Sequence, residues 1–269
     1  MPALDVQFAG SIPDLYDRIL GPIIFQPFAD DLARRAAAFK PQTVLEIAAG
    51  TGIVTRALLK ALPETSSLIA TDLNQPMLDH AARNTASGCV DWRQADAAAL
   101  PFGDAAFDTV VCQFGVMFFP DKLAAYKEAF RVLTPGGKFL FNVWGPLKTS
   151  DFANTVTVAL AKLFPDNPPQ FFARTPHGYH DIAAIKEVLV AASFSNVNVE
   201  TVELESVAAS AMQAAIGFCQ GTPLRSEIEV RDPSGPGRAT EVAATALARK
   251  FGTSRIHGRM QAHIFQASR

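Results

Sequence analysis

The residues best suited to chemistry lie in the segment TVLEIAAGTG, residues 43–52. Its apolar start predicts a buried strand through Glu46, and its small residues predict a tight turn before a helix that opens at Ile53. A bare backbone and a helix N-terminus at the carboxyl edge of a sheet form a docking place for nucleoside-bearing ligands in open α/β folds. Glu46 would repel a pyrophosphate so close to the turn, so the segment tolerates or favours a cationic, phosphate-free ligand.

Three more polar residues stand where later predicted strands end. Asp72 closes the run LIATD, Asp96 follows the third predicted strand, and Gln113 ends the run FDTVVCQ. Because consecutive parallel strands point the same way, we expect these three side chains and Glu46 to meet at one edge of the sheet.

The residue types at this edge match the parts of a nucleoside. An ionised Asp72 can accept hydrogen bonds from both ribose hydroxyls. Gly50 and Gly52 let the backbone approach a ligand without interference from a Cβ atom. Asp96 can accept a hydrogen bond from an adenine amino group. We therefore expect an adenosine site.

Two apolar residues and one acid complete the candidate site. Leu73 and Met77 can sandwich an adenine ring by apolar contact. Glu46 has two interpretations that the sequence leaves open. It could bond to backbone amides behind the turn, or to an amino group at an amino-acid end of the ligand.

The elements that must position these residues follow from the alternation of apolar runs with helical periodicity, which predicts βαβ units and a parallel sheet. Strands are predicted at about 43–48, 67–72, 89–94, 107–113, 137–144 and 196–205, with a last strand in RIHGRMQAHIFQ, residues 255–266. Helices are predicted near 25–39, 52–62, 75–87, 121–133 and 181–192, with mostly helical structure over 207–250. Pro13, Pro22 and Pro27 are expected to break the N-terminal segment into short pieces.

Composition excludes several classes of function. The 269 residues are 49% hydrophobic with a net charge of −2, which argues against nucleic acid or a membrane as a partner. The three cysteines are widely spaced and no set of side chains has metal-ligand spacing, so we predict no metal and a reducing cytoplasm. The start MPALDVQ predicts no signal peptide, and no apolar run is long enough for a membrane span.

The pattern resembles the class I S-adenosylmethionine-dependent methyltransferases, above all the branch that includes ubiquinone and menaquinone biosynthesis enzymes. The resemblance covers about residues 40–145 and is carried by EIAAGTG at 46–52, Asp72, Ala95-Asp96 and TPGG at 134–137. Ala48 departs from the family, which usually has a glycine there, and its methyl group could shift the methionine portion of the cofactor.

The resemblance implies an α/β fold: a Rossmann-like, doubly wound, mainly parallel seven-stranded sheet with an antiparallel last strand, plus helical cap elements. It implies S-adenosylmethionine as cofactor and S-adenosylhomocysteine as product. Ala48 and Gly50 would line the methionine and ribose, and Ala97 would face adenine beside Asp96. Gln113 would lie near the sulfonium, and Tyr16 would close the site.

We expect a single methyltransferase domain over residues 1–269. Its predicted parts are an N-terminal lid at 1–40, a cofactor-binding core at 41–145, substrate cap insertions at 146–180 and 207–250, and the rest of the sheet at 181–206 and 251–269.

The expected reaction is in-line methylation of a small molecule, apolar or aromatic because phenylalanines crowd the predicted cap segments. His177 and His180 precede a predicted helix, where capping is commoner than base catalysis, so no catalytic residue is predicted. A sensor or scaffold that binds the cofactor without turnover is the alternative. A nicotinamide dehydrogenase would need G-x-G-x-x-G, whereas Ala48 and Ile53 stand at two of those positions. The oligomeric state, monomer or homodimer, is left open.

Overall fold

A computed structural model gives the fold of the chain and describes residue 5, residues 12–86 and residues 88–269. The strands are β1 (Thr43–Ile47), β2 (Ser67–Asp72), β3 (Asp91–Gln94), β4 (Phe107–Gln113), β5 (Leu133–Trp144), β6 (Ser195–Ala208) and β7 (Ile256–Ser268). The helices are α1 (Ile12–Leu15), α2 (Gln26–Ala37), α3 (Ile53–Ala61), α4 (Gln75–Arg83), α5 (Lys122–Val132), α6 (Asp151–Leu163), α7 (Phe171–Arg174), α8 (Ile182–Ala191), α9 (Ala211–Gln220), α10 (Leu224–Arg231) and α11 (Gly237–Phe251).

The described strands form one seven-stranded sheet in the order β3-β2-β1-β4-β5-β7-β6. β1 pairs in parallel with β2 and β4, and the pairs β2–β3 and β4–β5 are parallel as well. β7 runs antiparallel to β5, as the reciprocal backbone bonds between Arg269 and Gly136-Gly137 require. The predicted α/β class, with a mainly parallel sheet and an antiparallel last strand, is confirmed.

The N-terminal helices correct one prediction, because the prolines do not break this segment into short pieces. α1 continues through a π-helix, Tyr16–Phe25, directly into α2. Pro22 lies inside the π-helix, and beyond it the Gln26 N–H donates to the Gly21 carbonyl, five residues back. The wider π turn accommodates a residue that lacks a backbone donor, so the helical path is kept.

β5 begins earlier than predicted. Its pairing with β4 shifts from Phe107 opposite Leu133 to Thr109 opposite Lys138, so residues 134–137 form a bulge inside the strand. Gly136 has a φ of 82° there, as expected for a tight turn in this segment. The strand therefore runs from the end of α5 without a separate loop.

The chain divides into two compact units. Unit 1 comprises residues 1–27, 144–178 and 203–261, and unit 2 comprises residues 28–143, 179–202 and 262–269. Unit 2 contains β1 to β4 and α3 to α5, the elements that carry the predicted cofactor residues. The division into lid, core and cap insertions stays a prediction. Over residues 12–86 and 88–269, no helix combines the length and apolar character that a membrane crossing needs.

Two non-glycine residues adopt left-handed backbone where neighbouring strands end. Ala48 follows β1 with a φ of 55°, and Phe114 follows β4 with a φ of 48°. Such conformations cost about 1–3 kcal/mol each and persist only where the surroundings fix them. Gly115 lets the two turns pack together, because a Cβ atom there would lie 2.6 Å from the Ala48 Cβ and 2.7 Å from the Cys112 Sγ.

This packing predicts that Gly115→Ala lowers the free energy of unfolding by about 1–3 kcal/mol, the usual cost of overpacking a buried contact. Adding Ala48→Gly should recover part of the loss, because it removes the nearer clash and a strained left-handed alanine. Urea denaturation of both variants measures the effect. Gly103→Ala is the control, since nothing lies within 4 Å of a Cβ atom at that position. Equal stability of Gly115→Ala and the unmodified protein would contradict the packing argument.

Candidate functional site

The carboxylate of Asp72 joins the ends of the neighbouring strands β1 and β2. Its Oδ2 atom accepts a hydrogen bond of 2.8 Å from the backbone N–H of Gly50, in the turn after β1. Its Oδ1 atom accepts the N–H of Asn74 at 2.8 Å. Asp72 therefore holds the small-residue turn against the carboxyl end of β2, a role that the sequence analysis did not anticipate.

Asp72 keeps capacity for a ligand despite these two bonds. An ionised carboxylate offers about four lone-pair sites, so donors such as ribose hydroxyls can still be accepted. The side chain is 8% exposed, and burial raises its pKa above the usual range, against the opposing effect of the Asn74 and Gly50 N–H groups. A ligand that brings further hydrogen-bond donors would stabilise the charged form.

Glu46 is a second carboxyl in unit 2 that is removed from water. It is 1% exposed, and the Thr55 hydroxyl donates to its Oε2 atom at 2.6 Å. Burial, more than any other influence, raises the pKa of Glu46 to about 8, and the neighbouring charge of Asp72 acts in the same direction. The bond from Thr55 and the charge of Arg56 oppose the rise without cancelling it.

The turn between β1 and α3 is shaped by close packing. Gly50 and Gly52 have φ values of 57° and 80°, and Gly52 precedes the first residue of α3. A Cβ atom on Gly52 would lie 3.0 Å from the Ala81 Cβ and 3.2 Å from the ring of Trp92. Only glycine fits this position without displacing its neighbours, whereas Gly50 faces just the end of Met77 at 3.8 Å.

The predicted adenine residues stand after β2 and β3. Leu73 is 55% exposed, whereas Met77 is buried, and Gln94 binds the Leu73 carbonyl through its amide nitrogen at 2.9 Å. Asp96 is exposed, and its Oδ1 atom accepts the N–H of Ala98 at 2.8 Å, next to the partly exposed Ala97. The Ala95 N–H donates to the Asp72 carbonyl and so joins the two strand ends. The roles of these residues toward adenine stay predictions.

The end of β4 is fixed by a residue that sequence reasoning missed. Asn142 on β5 is fully buried, and its Oδ1 atom accepts the N–H of left-handed Phe114 at 2.9 Å. Its Nδ2 atom donates to the Oε1 of Gln113 at 3.4 Å, a long contact. The only signal was one amide within the apolar run FLFNVW. Thr55, the hydrogen-bond partner of Glu46, was missed as well, because a single threonine in a helix gives no pattern of its own.

We call residues 46–52, 72–77, 96–97 and 113–115 of unit 2 the rim. Hydrogen bonds link the carboxyl ends of β1, β2 and β3, and the packing of Gly115 against Ala48 links the ends of β4 and β1.

Tyr16 belongs to unit 1, where it stacks on Phe25 with ring centroids 4.5 Å apart. Phe25 lies 6.1 Å from the Trp144 ring, which in turn lies 5.9 Å from the ring of His177. The Nδ1 atom of buried His177 is 2.8 Å from the Gly145 carbonyl, so it donates there. We call Tyr16, Phe25, Trp144 and His177 the aromatic row. The role of Tyr16 as a closing residue stays a prediction.

Comparison with known proteins finds similarity to methyltransferases. Residues 44–137 match the family described as a methyltransferase domain. A demethylmenaquinone methyltransferase from Deinococcus radiodurans is 32% identical over 148 residues, which cover 54% of this chain and 61% of that protein. The ubiquinone/menaquinone biosynthesis C-methyltransferase UbiE of Escherichia coli is 38% identical over 103 residues, or 37% of this chain and 41% of the relative. The matches thus span less than two thirds of either relative.

Solved structures share the fold at low sequence identity. Phosphoethanolamine N-methyltransferase 2 from Haemonchus contortus, in complex with S-adenosyl-L-methionine, is 16% identical with a TM-score of 0.63, over 100% of this chain and 60% of that one. The YcgJ protein from Bacillus subtilis is 17% identical with a TM-score of 0.56, over 90% and 98% of the two chains. The domain match at residues 44–137 and the two curated relatives support a class I S-adenosylmethionine-dependent methyltransferase.

Proposed function

We propose that this protein is an enzyme that transfers a methyl group from S-adenosylmethionine to a small molecule. The observation that supports this most is the bond between the Asp72 carboxylate and the Gly50 N–H at 2.8 Å. It fixes an acid beside a turn whose backbone is open to a ligand, the arrangement that a ribose with two hydroxyl donors requires.

The residues present fit this cofactor by their chemistry. Gly50 leaves room along the turn, and Asp72 offers acceptors for a sugar. Glu46 and Asp72 are buried acids with raised pKa values, and neither offers the positive charge that a pyrophosphate needs as a partner. We propose that Ala48, Gly50 and Gly52 line the methionine and ribose, and that Asp72 binds the ribose.

The remaining roles are assigned in the same way. We propose that Leu73, Met77, Asp96 and Ala97 surround the adenine, while Gln113 lies toward the reacting sulfur.

The chain needs to supply placement more than acid–base chemistry. The bound cofactor supplies a methyl group that its positive sulfur already activates. Residues of the protein then hold the acceptor atom in line, at about 3–3.5 Å from the methyl carbon, and keep water away. A base is needed only if the acceptor must lose a proton. The Nδ1 atom of His177 donates to the Gly145 carbonyl, and this bond fixes the orientation of the ring.

We further propose an apolar or aromatic acceptor. Tyr16, the partly exposed member of the aromatic row, presents a flat ring of the kind that stacks on an unsaturated ring. The names of the two curated relatives refer to quinone biosynthesis, which agrees with a ring acceptor. The net charge of −2 disfavours nucleic acid as substrate. In the described part of the chain, Cys89, Cys112 and Cys219 form no disulfide, which fits a reducing compartment, so we propose action in the cytoplasm.

Calorimetric titration tests the cofactor assignment. S-adenosylhomocysteine should give saturable binding and NADH none. Asp72→Asn should weaken S-adenosylhomocysteine binding at least tenfold, because a hydrogen bond to a charged group is worth about 1.5–3 kcal/mol. Asp91→Asn on β3, an exposed acid paired with Arg93, is the matched control and should bind like the unmodified protein. Binding of NADH, or unchanged affinity in Asp72→Asn, would argue against the assignment.

Transfer of a labelled methyl group separates an enzyme from a cofactor-binding sensor. The protein is incubated with methyl-labelled S-adenosylmethionine and a panel of phenolic, quinol and amine acceptors. We expect label in a ring acceptor, at a rate that Asp72→Asn lowers at least tenfold while Asp91→Asn does not. If the protein binds the cofactor but labels no acceptor across the panel, the sensor function is favoured instead.

A further inference from the structure

We propose that Glu128 and Arg131 of α5 set the preference of the cofactor site for adenine, because they fix the loop that brings Asp96 to the rim. The inference rests on the proposed function and adds two positioning residues to it. Neither side chain touches the ligand in this arrangement. Both act through Asp96, which we assign to the amino group of the base. We call Glu128 and Arg131 the α5 pair.

The loop between β3 and β4 is held at its start by the neighbouring strand. The Ala95 N–H donates to the Asp72 carbonyl at 3.0 Å. Asp96 then closes a small turn, because its Oδ1 atom accepts the Ala98 N–H at 2.8 Å and its carbonyl accepts the Ala99 N–H at 3.0 Å. The orientation of this turn depends on what holds its far end.

The α5 pair holds the far end at Leu100, which is buried and lies four positions after Asp96. The Leu100 N–H donates to Oε2 of Glu128 at 2.8 Å, and the Leu100 carbonyl accepts Nη2 of Arg131 at 3.0 Å. Arg131 also donates from Nη1 to the Phe102 carbonyl at 2.7 Å. Both backbone groups of Leu100 are thus bound by side chains of another element.

Two parallel hydrogen bonds fix the α5 pair itself. Nε of Arg131 donates to Oε1 of Glu128 at 2.8 Å, and Nη2 donates to Oε2 at 2.8 Å. The bond from Arg131 lowers the pKa of Glu128, and the Leu100 N–H acts in the same direction, so the acid stays charged at neutral pH. A two-point pair of this kind has a defined geometry, and it transmits that geometry to the loop.

Asp96 needs such support because it is exposed. An exposed loop side chain gains little from packing, so its direction depends on the backbone that carries it. Here the backbone is fixed at Ala95 by the sheet and at Leu100 by the α5 pair. A carboxylate held in one place selects a base with an amino group there, since a hydrogen bond stretched beyond about 3.5 Å is lost.

Two ligands isolate the recognition of the base. S-adenosylhomocysteine carries the 6-amino group of adenine, whereas the analogue with unsubstituted purine, here the purine analogue, lacks only that group. Calorimetric titration gives both dissociation constants, and their ratio is the base preference. The unmodified protein should prefer S-adenosylhomocysteine about tenfold or more, the effect of one hydrogen bond to a charged acceptor.

Glu128→Ala tests the α5 pair. The variant removes the acceptor of the Leu100 N–H and a partner of Arg131, so most of the base preference should be lost while the purine analogue still binds. Glu128→Gln keeps an oxygen for the Leu100 N–H and should restore much of the preference. Urea denaturation reports the stability of each variant separately, so a general loss of stability is not mistaken for a loss of selectivity.

A second variant and a control involve the same guanidinium. Arg131→Lys keeps the positive charge but loses the fork that binds the Leu100 and Phe102 carbonyls, so it should also lower the base preference. Asp104→Asn is the matched control. Asp104 is an exposed partner of Arg131 at 2.9 Å and lies outside the segment between the two fixed points, so its variant should keep the full preference.

A double variant shows whether the α5 pair acts through Asp96. Asp96→Asn keeps an oxygen for the Ala98 N–H but loses the charge that accepts the amino group, so it should lower the base preference alone. Adding Glu128→Ala should then lower the preference no further, because residues in one chain of contacts are not additive. Two losses that multiply would contradict the inference.

The outcomes separate this inference from the proposed function. A base preference that survives Glu128→Ala or Arg131→Lys, even at lower stability, overturns the role of the α5 pair and leaves the cofactor assignment standing. Equal binding of the two ligands by the unmodified protein overturns it as well. Absence of binding by both ligands overturns the cofactor assignment together with the inference.

Discussion

The hydrogen bond from the Gly50 N–H to the Asp72 carboxylate is the interaction on which the rest of the candidate site depends. It joins the turn after β1 to the end of β2 at 2.8 Å. A backbone donor and a side-chain acid hold each other at the edge of the sheet, so neither is free to reorganise alone. The acid that we assign to the ribose therefore also shapes the turn that the cofactor approaches.

Left-handed backbone and buried polar groups accompany this bond at the ends of β1 and β4. Ala48 and Phe114 keep left-handed backbone at the exits of β1 and β4, where Asn142 fixes the Phe114 N–H. Glu46 stays out of water with a neutral donor as its partner. Left-handed non-glycine backbone and a buried acid are each unfavourable on their own. Such features are typical of functional sites, because a pre-organised ligand site needs groups that the fold alone would not favour.

The sheet could be predicted from sequence because its signals are local. Apolar runs of strand length, separated by helical periodicity and turn residues, fixed β2 and β4 at the bounds observed. The N-terminal segment could not be predicted, since a π-helix around Pro22 depends on packing that no short window contains. The positions of Glu46 and Asp72 at the strand ends could be predicted from the sequence. Their hydrogen-bond partners could not. Thr55 and Asn142 act through contacts between elements, and the clamp of Asp72 on Gly50 joins residues 22 positions apart.

The central claim is that Asp72 binds an adenosyl ribose while it still holds the turn. A crystal structure with S-adenosylhomocysteine tests this most directly. We predict both ribose hydroxyls within hydrogen-bond distance of the Asp72 carboxylate, with the Gly50 N–H still bonded to it. A nucleoside bound elsewhere, or an Asp72 side chain turned away from the sugar, would contradict the account.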